Sequence, residues 1–525
     1  MLWKRRKLKS PFFFLLSLIY LTYDMNKLIK SSKFQQEYCC TVVRIGELHP
    51  IENSNYLATT LVNRIQIVVR KDEVKTGDIM IYAANETQLN LEFLSCNNLF
   101  ELGERHLNKN YQDVQALLDA GDIDGAKSMV GFFNKRGRVK CIRLRKEPSF
   151  GFLFGKEALV KWKPELKDIN LEEYIGQDFD CVNDELFVKV YVPFVPEENI
   201  KKPKEPKEKG VKKIDHIIDG QFFKHYDTKQ LNRAIDMIKP GDTVNLSVKV
   251  HGTSAIFANI LCRVPKFINT RVQWWNNLVN YLYICLPEKW QKIEEKYDLI
   301  YSSRNVIKNK YIKVSRKKGI GYGEQLDDLW SEYADILRPY IPEGMTVYGE
   351  ICGYCTGKTE MMIQKEYDYG CAPGKNKFMP YRITTREESG VIKEWDVEEV
   401  YKWTIELVKN NPKLAENIMP IQILYHGTLR DFYPDVPEDE RWSDEVLEKM
   451  KVDPRLGMEE RETLCNNKKV PREGIVLRID DDPMKEAFKL KCVKFLEREK
   501  KLMDDGEVDT EMIEGYTENN EGEEA

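Results

Sequence analysis

Long apolar runs are scarce in this sequence. The one at the amino terminus, Pro11 to Tyr23, spans about 13 residues, where a membrane-crossing helix needs roughly 20. No internal repeat emerges, which sets aside solenoids and propellers. Thirty glycines and 22 prolines are too few for a collagen-like chain, and a hydrophobic share of 42% is too high for a mainly disordered one. The 12 cysteines do not read as a disulfide framework in a chain of 525 residues. Cys39 and Cys40 are adjacent, while Cys262, Cys285 and Cys492 lie inside apolar runs. Buried free thiols in a reducing compartment are therefore expected, rather than a structural zinc site. Charge of one sign is lacking as well, since 81 Lys and Arg face 85 Asp and Glu. That balance hides a split: residues 501–525 hold ten acidic groups against Lys501 alone, leaving residues 1–500 with a net charge of +5. A weakly basic body with an acidic tail fits a nucleic-acid partner, though it fits others too.

What is present divides the chain. The length suggests about three units. The basic run Trp3-Lys-Arg-Arg-Lys-Leu-Lys9 ahead of the apolar segment has the layout of a leader, but no small-residue cleavage site follows. Two readings stay open for residues 1–24: a membrane-associated leader, or an upstream artefact with Met25 as the true start. Residues 38–101 read as short strands, with Tyr38 to Ile45, Ile65 to Val69 and Ile79 to Tyr82 split by turn residues. Residues 104–130 look like a helical insertion. Strands return at Arg138-Val-Lys-Cys-Ile-Arg-Leu-Arg145, where alternation sets Arg138, Lys140, Arg143 and Arg145 toward solvent or a polyanion. Short strands of this kind suggest a small barrel of the OB type. Lys201 to Lys213, with seven lysines and two prolines, reads as an extended linker. The aromatic-rich stretch 271–298 reads as an amphipathic helix or two. The expected division is an extension at 1–37, a β-domain at 38–195, the linker at 196–215, a mixed α/β domain at 216–500 and an acidic disordered tail at 501–525.

The chemistry concentrates in the fourth segment. In Thr243-Val-Asn-Leu-Ser-Val-Lys-Val-His-Gly-Thr-Ser254, Val244, Leu246, Val248 and Val250 alternate, so they line one face of a strand and Lys249 points to the other. The strand breaks at His251-Gly252, placing a lysine beside a glycine turn. The K-x-x-G pattern alone is weak, because Lys207 to Gly210 and Lys318 to Gly321 match it without an alternating strand. In order after it come Ser302-Ser-Arg-Asn305, Thr346-Val-Tyr-Gly-Glu-Ile-Cys352, Arg472-Glu-Gly-Ile-Val-Leu-Arg478 and Phe488-Lys-Leu-Lys-Cys-Val493. In the last of these Lys489 and Lys491 share one face, with Phe488, Leu490 and Cys492 on the other. A lysine, two carboxylates on strands and a paired-lysine strand suit nucleotidyl transfer through a covalent lysine.

This order of motifs resembles the covalent nucleotidyltransferases, which include ATP-dependent RNA ligases, DNA ligases and GTP-dependent mRNA capping enzymes. Leu48 to Glu52, Val68 to Lys71, Thr76 to Asp78 and Arg138 to Arg145 also resemble the amino-terminal OB domain of one RNA ligase branch. Where DNA ligases and capping enzymes carry aspartate two residues after the lysine, this chain has His251, and only about 30 residues follow Lys491. Both departures favour the RNA ligase branch. The resemblance implies an α+β chain: an OB-type β-barrel domain, then a nucleotidyltransferase domain of antiparallel sheets with flanking helices. It implies Lys249 as nucleophile toward ATP. Glu350 would contact ribose, Glu473 would hold Mg2+ or Mn2+, Lys489 and Lys491 would bind the α-phosphate, and Arg304 would bind ribose or a terminal phosphate. For the adenine-stacking ring, Lys377-Phe-Met-Pro-Tyr-Arg-Ile383 offers Tyr381, with Phe378 behind it; His251 is unassigned. The implied partners are ATP and RNA with 3′-hydroxyl and 5′-phosphate ends, the RNA held by Arg304, Arg138, Lys140, Arg143 and Arg145. RNA repair, a cytoplasmic monomer and no stable membrane partner are expected. The alternatives are a DNA ligase, a capping guanylyltransferase, or a catalytically silent RNA-binding protein.

Overall fold

The computed structural model describes residues 28–192, 216–224, 228–265, 293–304, 307–308, 329–356, 361–458, 460–480, 482 and 486–504. The amino-terminal basic and apolar runs, the lysine-rich linker and the acidic tail beyond 504 lie outside the described residues, as do Lys207 and Lys318. The chain divides into two compact units, Met1–Val192 and Pro193–Ala525.

In the first unit the expected early strands are present: β1 (Cys40–Arg44), β2 (Leu57–Val62), β3 (Ile65–Arg70) and β4 (Ile79–Ala83). Their buried residues are mostly apolar and β-branched, and Val42, Ile81 and Ala83 are fully buried. Helix α1 (Leu91–Cys96) lies in a stretch expected as strands, and the insertion expected at 104–130 is helical, with α2 (Tyr111–Asp119) and α3 (Ile123–Ser128). Asn90 caps α1 by accepting from the backbone of Glu92 and Phe93, satisfying two of the donors a helix start leaves open. The chain continues through the hairpin β5 (Ile142–Leu144) and β6 (Glu147–Ser149), then β7 (Phe152–Phe154), α4 (Lys156–Trp162) and β8 (Asp178–Phe179). One sheet has the order β7–β4–β1–β8, and Phe93, Phe154, Trp162 and Phe187 pack as a cluster of edge-to-face and tilted rings beside it. Among the described residues the remaining strands form further small antiparallel sheets, and the pairings do not close into a barrel. Residues 138–141 are not a strand, against the sequence expectation. Arg138 makes only an isolated antiparallel bridge with Gln88, and its side chain is 2% exposed and bonded through Nε and Nη2 to Glu86.

The second unit sets two sheets face to face. Its strands are β9 (Lys229–Gln230), β10 (Thr243–Lys249), β11 (Thr253–Pro265), β12 (Ile293–Ser302) and β13 (Ile307–Lys308), followed by α5 (Leu329–Leu337). Then come β14 (Met345–Gly353), β15 (Asn376–Arg386), β16 (Ile392–Glu394), α6 (Val397–Asn410), β17 (Ile423–Thr428), α7 (Trp442–Val452), β18 (Gly474–Ile479), β19 (Ala487–Lys491) and α8 (Val493–Asp504). The first sheet runs β13–β12–β11–β14–β15–β16 and the second β9–β19–β18–β10–β17, every neighbour antiparallel except β9 with β19. Residues 293–298, expected in a helix, are strand; the rest of that aromatic stretch lies outside the described residues. Helices α5 and α6 cover one face of the first sheet through Trp330, Tyr333, Val400 and Leu407, packing on Phe257, Val347 and Phe378. Helix α7 covers the second sheet through Trp442, Val446 and Met450, packing with Leu246, Leu477 and Phe488. The uncovered faces, carrying alternate residues of β10, β14, β18 and β19, meet each other. An ion pair between Arg478 of β18 and Glu394 of β16 links them.

All cysteines among the described residues are free, and only Cys96 is not buried. Cys352-Gly-Tyr-Cys355 does have C-x-x-C spacing, yet no cluster of three or more metal-ligating side chains occurs among the described residues. The described residues also contain no helix long and apolar enough to cross a membrane.

Candidate active site

The chain leaves the second sheet at Lys249 and joins the first at Thr253, so His251-Gly252 is the point where the two sheets meet. Val244, Leu246 and Val248 are fully buried, as their alternation predicts, and Val244 and Leu246 join the core that α7 covers. The opposite residues Asn245 and Ser247 are buried too, and Lys249, at the strand end, is partly open. The Gly252 N–H donates to Glu350 Oε1 over 3.2 Å. A Cβ on Gly252 would lie 2.4 Å from the Ile351 carbonyl oxygen and 2.8 Å from Glu350 Cγ. Any larger residue would push β14, and with it Glu350, away from the lysine strand.

Lys249 Nζ stands 2.8 Å from Glu473 Oε1, and Lys491 Nζ stands 3.4 Å from the same oxygen. His251 Nδ1 is 3.7 Å from the other oxygen, Oε2. Register explains the convergence: Gly474, next to Glu473, pairs with Lys249 on one side and Lys491 on the other. Gly474 has φ of +153°, and a Cβ there would lie 2.0 Å from the Leu490 carbonyl oxygen, so glycine lets β19 close in. Burial alone would raise the Glu473 carboxyl; Lys249, Lys491 and His251 outweigh it and hold the group at about 2. A carboxyl depressed in the folded state stabilises the fold above its ordinary range and stops doing so as pH falls toward 2. The stability gap between wild type and Glu473→Gln should therefore narrow from pH 6 to pH 3 in urea titrations. A gap constant over that range would contradict the ionic role. Lys489 lies on the same face as Lys491, 8% exposed, while Phe488, Leu490 and Cys492 are buried on the other. Lys491 also reaches Glu499 at 3.6 Å and lies 5.0 Å over the Phe495 ring.

A loop that sequence reasoning missed holds these strand ends. Tyr369 Oη accepts from the His251 N–H at 2.7 Å, Gln364 donates to the Gly252 carbonyl at 2.8 Å, and Tyr367 donates to the Pro471 carbonyl at 2.7 Å. The His251 ring packs edge-on against Tyr367 and Phe495, 5.0 Å from each centroid. Burial pushes the Tyr367 and Tyr369 hydroxyls well up, so both are neutral hydrogen-bonding groups. The only signal in the sequence is Tyr367-Asp-Tyr369-Gly370, two aromatics in a stretch with neither helical nor strand periodicity.

In mid-strand, next to Glu350, a register shift between Tyr348 and Gly349 makes Tyr381 the extra residue of a bulge in β15. Bulges re-aim side chains, and Tyr381 is half-buried. Phe378 is fully buried between Phe257 and Tyr333 on the helix-covered face, so it is core and does not back Tyr381. Arg382 makes a bidentate pair with Glu394 at 2.6 and 2.7 Å and lies 4.4 Å over the Tyr348 ring. Arg478 Nη1 is 3.6 Å from the same carboxylate. Burial lowers the Arg478 guanidinium, opposed by Glu394 and by nearby Tyr381. Arg304 is half-buried, two residues past the Ile256–Ser302 pair, at the end of the sheet where Ser254 pairs with Glu350.

In the first unit Arg143 and Arg145 are exposed on the β5–β6 hairpin and Lys140 is half-buried. Arg138 is not available to a polyanion: besides Glu86 it meets the Tyr191 ring at 5.0 Å.

A divalent cation fits part of this arrangement. Glu473 Oε2 is buried with no hydrogen-bond partner among the described residues, and it is a hard anionic oxygen. Glu473 with Glu350 gives too few ligands for a protein cage, which is the situation magnesium tolerates by keeping waters and substrate phosphates.

No family model matches the chain, and no curated protein matches it. Among solved structures, the chain is similar to the RNA ligase of Naegleria gruberi. A mutant of that ligase with AMP and Mn aligns at 15% identity and TM-score 0.47, covering 87% of this chain and 98% of that one. A second mutant, with ATP and Mn, aligns at 15% identity and TM-score 0.45, covering 89% and 99%. The ligase with PPi aligns at 15% identity and TM-score 0.42, covering 89% and 100%.

Proposed function

We propose that this chain is an ATP-dependent RNA ligase that joins 3′-hydroxyl and 5′-phosphate ends through a covalent lysyl–AMP intermediate. The observation that carries the reading is the convergence of Lys249 and Lys491 on Glu473, beside the Gly252 turn that Glu350 holds. Lys249 Nζ attacks the α-phosphorus of ATP; the N–P bond forms, the bond to pyrophosphate breaks, and the amine proton passes to solvent. An amine attacks only when unprotonated and unpaired. Lys491, 3.4 Å from the oxygen that Lys249 contacts, is placed to keep the carboxylate neutralised while Lys249 turns to phosphorus. Lys489 and Lys491 then face the charge that builds on the phosphate oxygens. Glu350 bonds the ribose hydroxyls, Arg304 bonds ribose or a terminal phosphate, and Tyr381 stacks on adenine. Glu473 would hold the divalent cation, which when bound neutralises phosphate charge. AMP next passes to the RNA 5′-phosphate, and the 3′-hydroxyl displaces it.

Incubation with ATP or GTP labelled at the α-phosphate, then denaturing electrophoresis, tests the reading. Label from ATP followed by sealing of RNA is expected. Label from GTP alone would indicate capping, sealing of DNA alone a DNA ligase, and no label a silent RNA-binding protein. For RNA contact, the two exposed arginines of the β5–β6 hairpin carry the expectation. Each single-strand phosphate neutralised contributes about −0.7 to the slope of log affinity against log salt. Arg143→Ala with Arg145→Ala should thus flatten that slope by up to about 1.4 in filter-binding assays. Arg138→Ala should instead lower thermal stability, because it removes the buried guanidinium that pairs with Glu86. An unchanged slope in the double variant would remove the hairpin from the RNA site.

A further inference from the structure

Asn245, on the lysine strand, has a side chain whose chemistry nothing above uses. It is 1% exposed, and neither its amide nitrogen nor its amide oxygen has a hydrogen-bond partner among the described residues. Buried polar groups are nearly always bonded, since desolvating an amide without return is unfavourable, so an orphan of this kind calls for a ligand. Its cross-strand neighbours are engaged elsewhere. Arg478, opposite it on β18, pairs with Glu394, and His426, opposite it on β17, pairs with Glu398 and Asp480.

The position suits a nucleotide base. Asn245, Ser247 and Lys249 share the face of β10 turned toward the first sheet, because Val244, Leu246 and Val248 occupy the other. Four residues of strand place Asn245 about 13 Å behind Lys249, close to the length of a nucleoside monophosphate laid along the strand. Tyr381 lies within electrostatic reach of Arg478, which is Asn245's partner in register. A base stacked on Tyr381 with its phosphate at Lys249 would turn its far edge to the floor where Asn245 sits. A carboxamide offers one donor and one acceptor side by side, which matches the donor and acceptor on the edge of adenine.

We propose that Asn245 reads the hydrogen-bonding edge of the nucleotide base and so sets the preference for ATP over GTP. This rests on the nucleotidyl-transfer reading above. The amide is closed to water in this structure, so an arriving base shifts a side chain that now covers it.

The test uses the full chain and the variants Asn245→Leu and Asn245→Asp. Equilibrium binding of ATP and GTP is measured, alongside Lys249 labelling and thermal melts. Replacing an unpaired buried amide by an isosteric apolar group removes a desolvation penalty, so Asn245→Leu should melt at the wild-type temperature or above it. Its ATP affinity should fall roughly 10–100-fold, the scale of one good bidentate base contact, with GTP affinity little changed. Asn245→Asp, which keeps an acceptor and loses the donor, should fall between. A drop in melting temperature with unaltered ATP preference would make Asn245 structural and overturn the proposal, as would wild-type ATP affinity in both variants. If the wild type binds ATP but never labels, the ligase reading fails while the binding ratios still decide the role of Asn245.

Discussion

Lys249→Ala should abolish transfer of label from α-labelled ATP to the protein. It removes the amine at the strand end beside the Gly252 turn, to which this reading assigns the phosphoramidate. Lys491 sits nearby, but it is held between Glu473 at 3.4 Å and Glu499 at 3.6 Å. The fold should survive, because Glu473 keeps Lys491 and His251 as partners. Lys249→Arg sharpens the experiment: it preserves a cation against Glu473 yet offers no amine to attack, so it should match wild-type stability with no label. Full labelling of either variant would sink the assignment. The search would then move to Lys318.

Lys489→Ala and Lys491→Ala should each slow single-turnover self-adenylylation by 10²–10³, far more than they weaken ATP binding. Charge stabilisation aimed at a transition state commonly contributes about 2.7–4 kcal/mol per group in a water-poor site. Both lysines lie on the face of β19 turned to the cleft, and Lys489 is nearly closed to solvent. They are therefore not a solvated surface pair, whose removal would be close to neutral. Lys491→Ala carries an additional consequence, since Glu473 then depends on Lys249 and His251 alone. Wild-type single-turnover rates in both variants would show that these ammonium groups do not face the phosphate.

Local pattern made much of the site legible. A period of two places Lys249 opposite Val244, Leu246 and Val248, and sets Lys489 and Lys491 opposite Phe488, Leu490 and Cys492; the structure has both arrangements. The same rule misjudged Arg138. Alternation assigns a residue to a face but cannot say whether that face meets water, and the carboxylate that buries Arg138 comes from Glu86, 52 positions earlier. The sequence expectation sets Phe378 behind Tyr381. Three positions along one strand put them on opposite faces, Phe378 in the helix-covered core and Tyr381 against the core of the second sheet. The loop carrying Gln364, Tyr367 and Tyr369 has no motif, because its work is done by hydrogen bonds to backbone atoms whose identity the sequence does not encode.

The sequence by itself determined which residue types stand at which strand ends: a lysine before a glycine turn, a glutamate before a glycine-led strand, two lysines one step apart. Those follow from near-neighbour sterics and from the two-residue period of a pleated strand. Tertiary structure alone decided that Lys249, Lys491 and Glu473, spread over more than two hundred positions, share one carboxylate. Register between β10, β18 and β19 sets that, and register depends on how whole sheets bury their apolar faces. It also left Asn245 dry and unbonded at the floor of the same face, where no local rule would have placed an uncompensated amide.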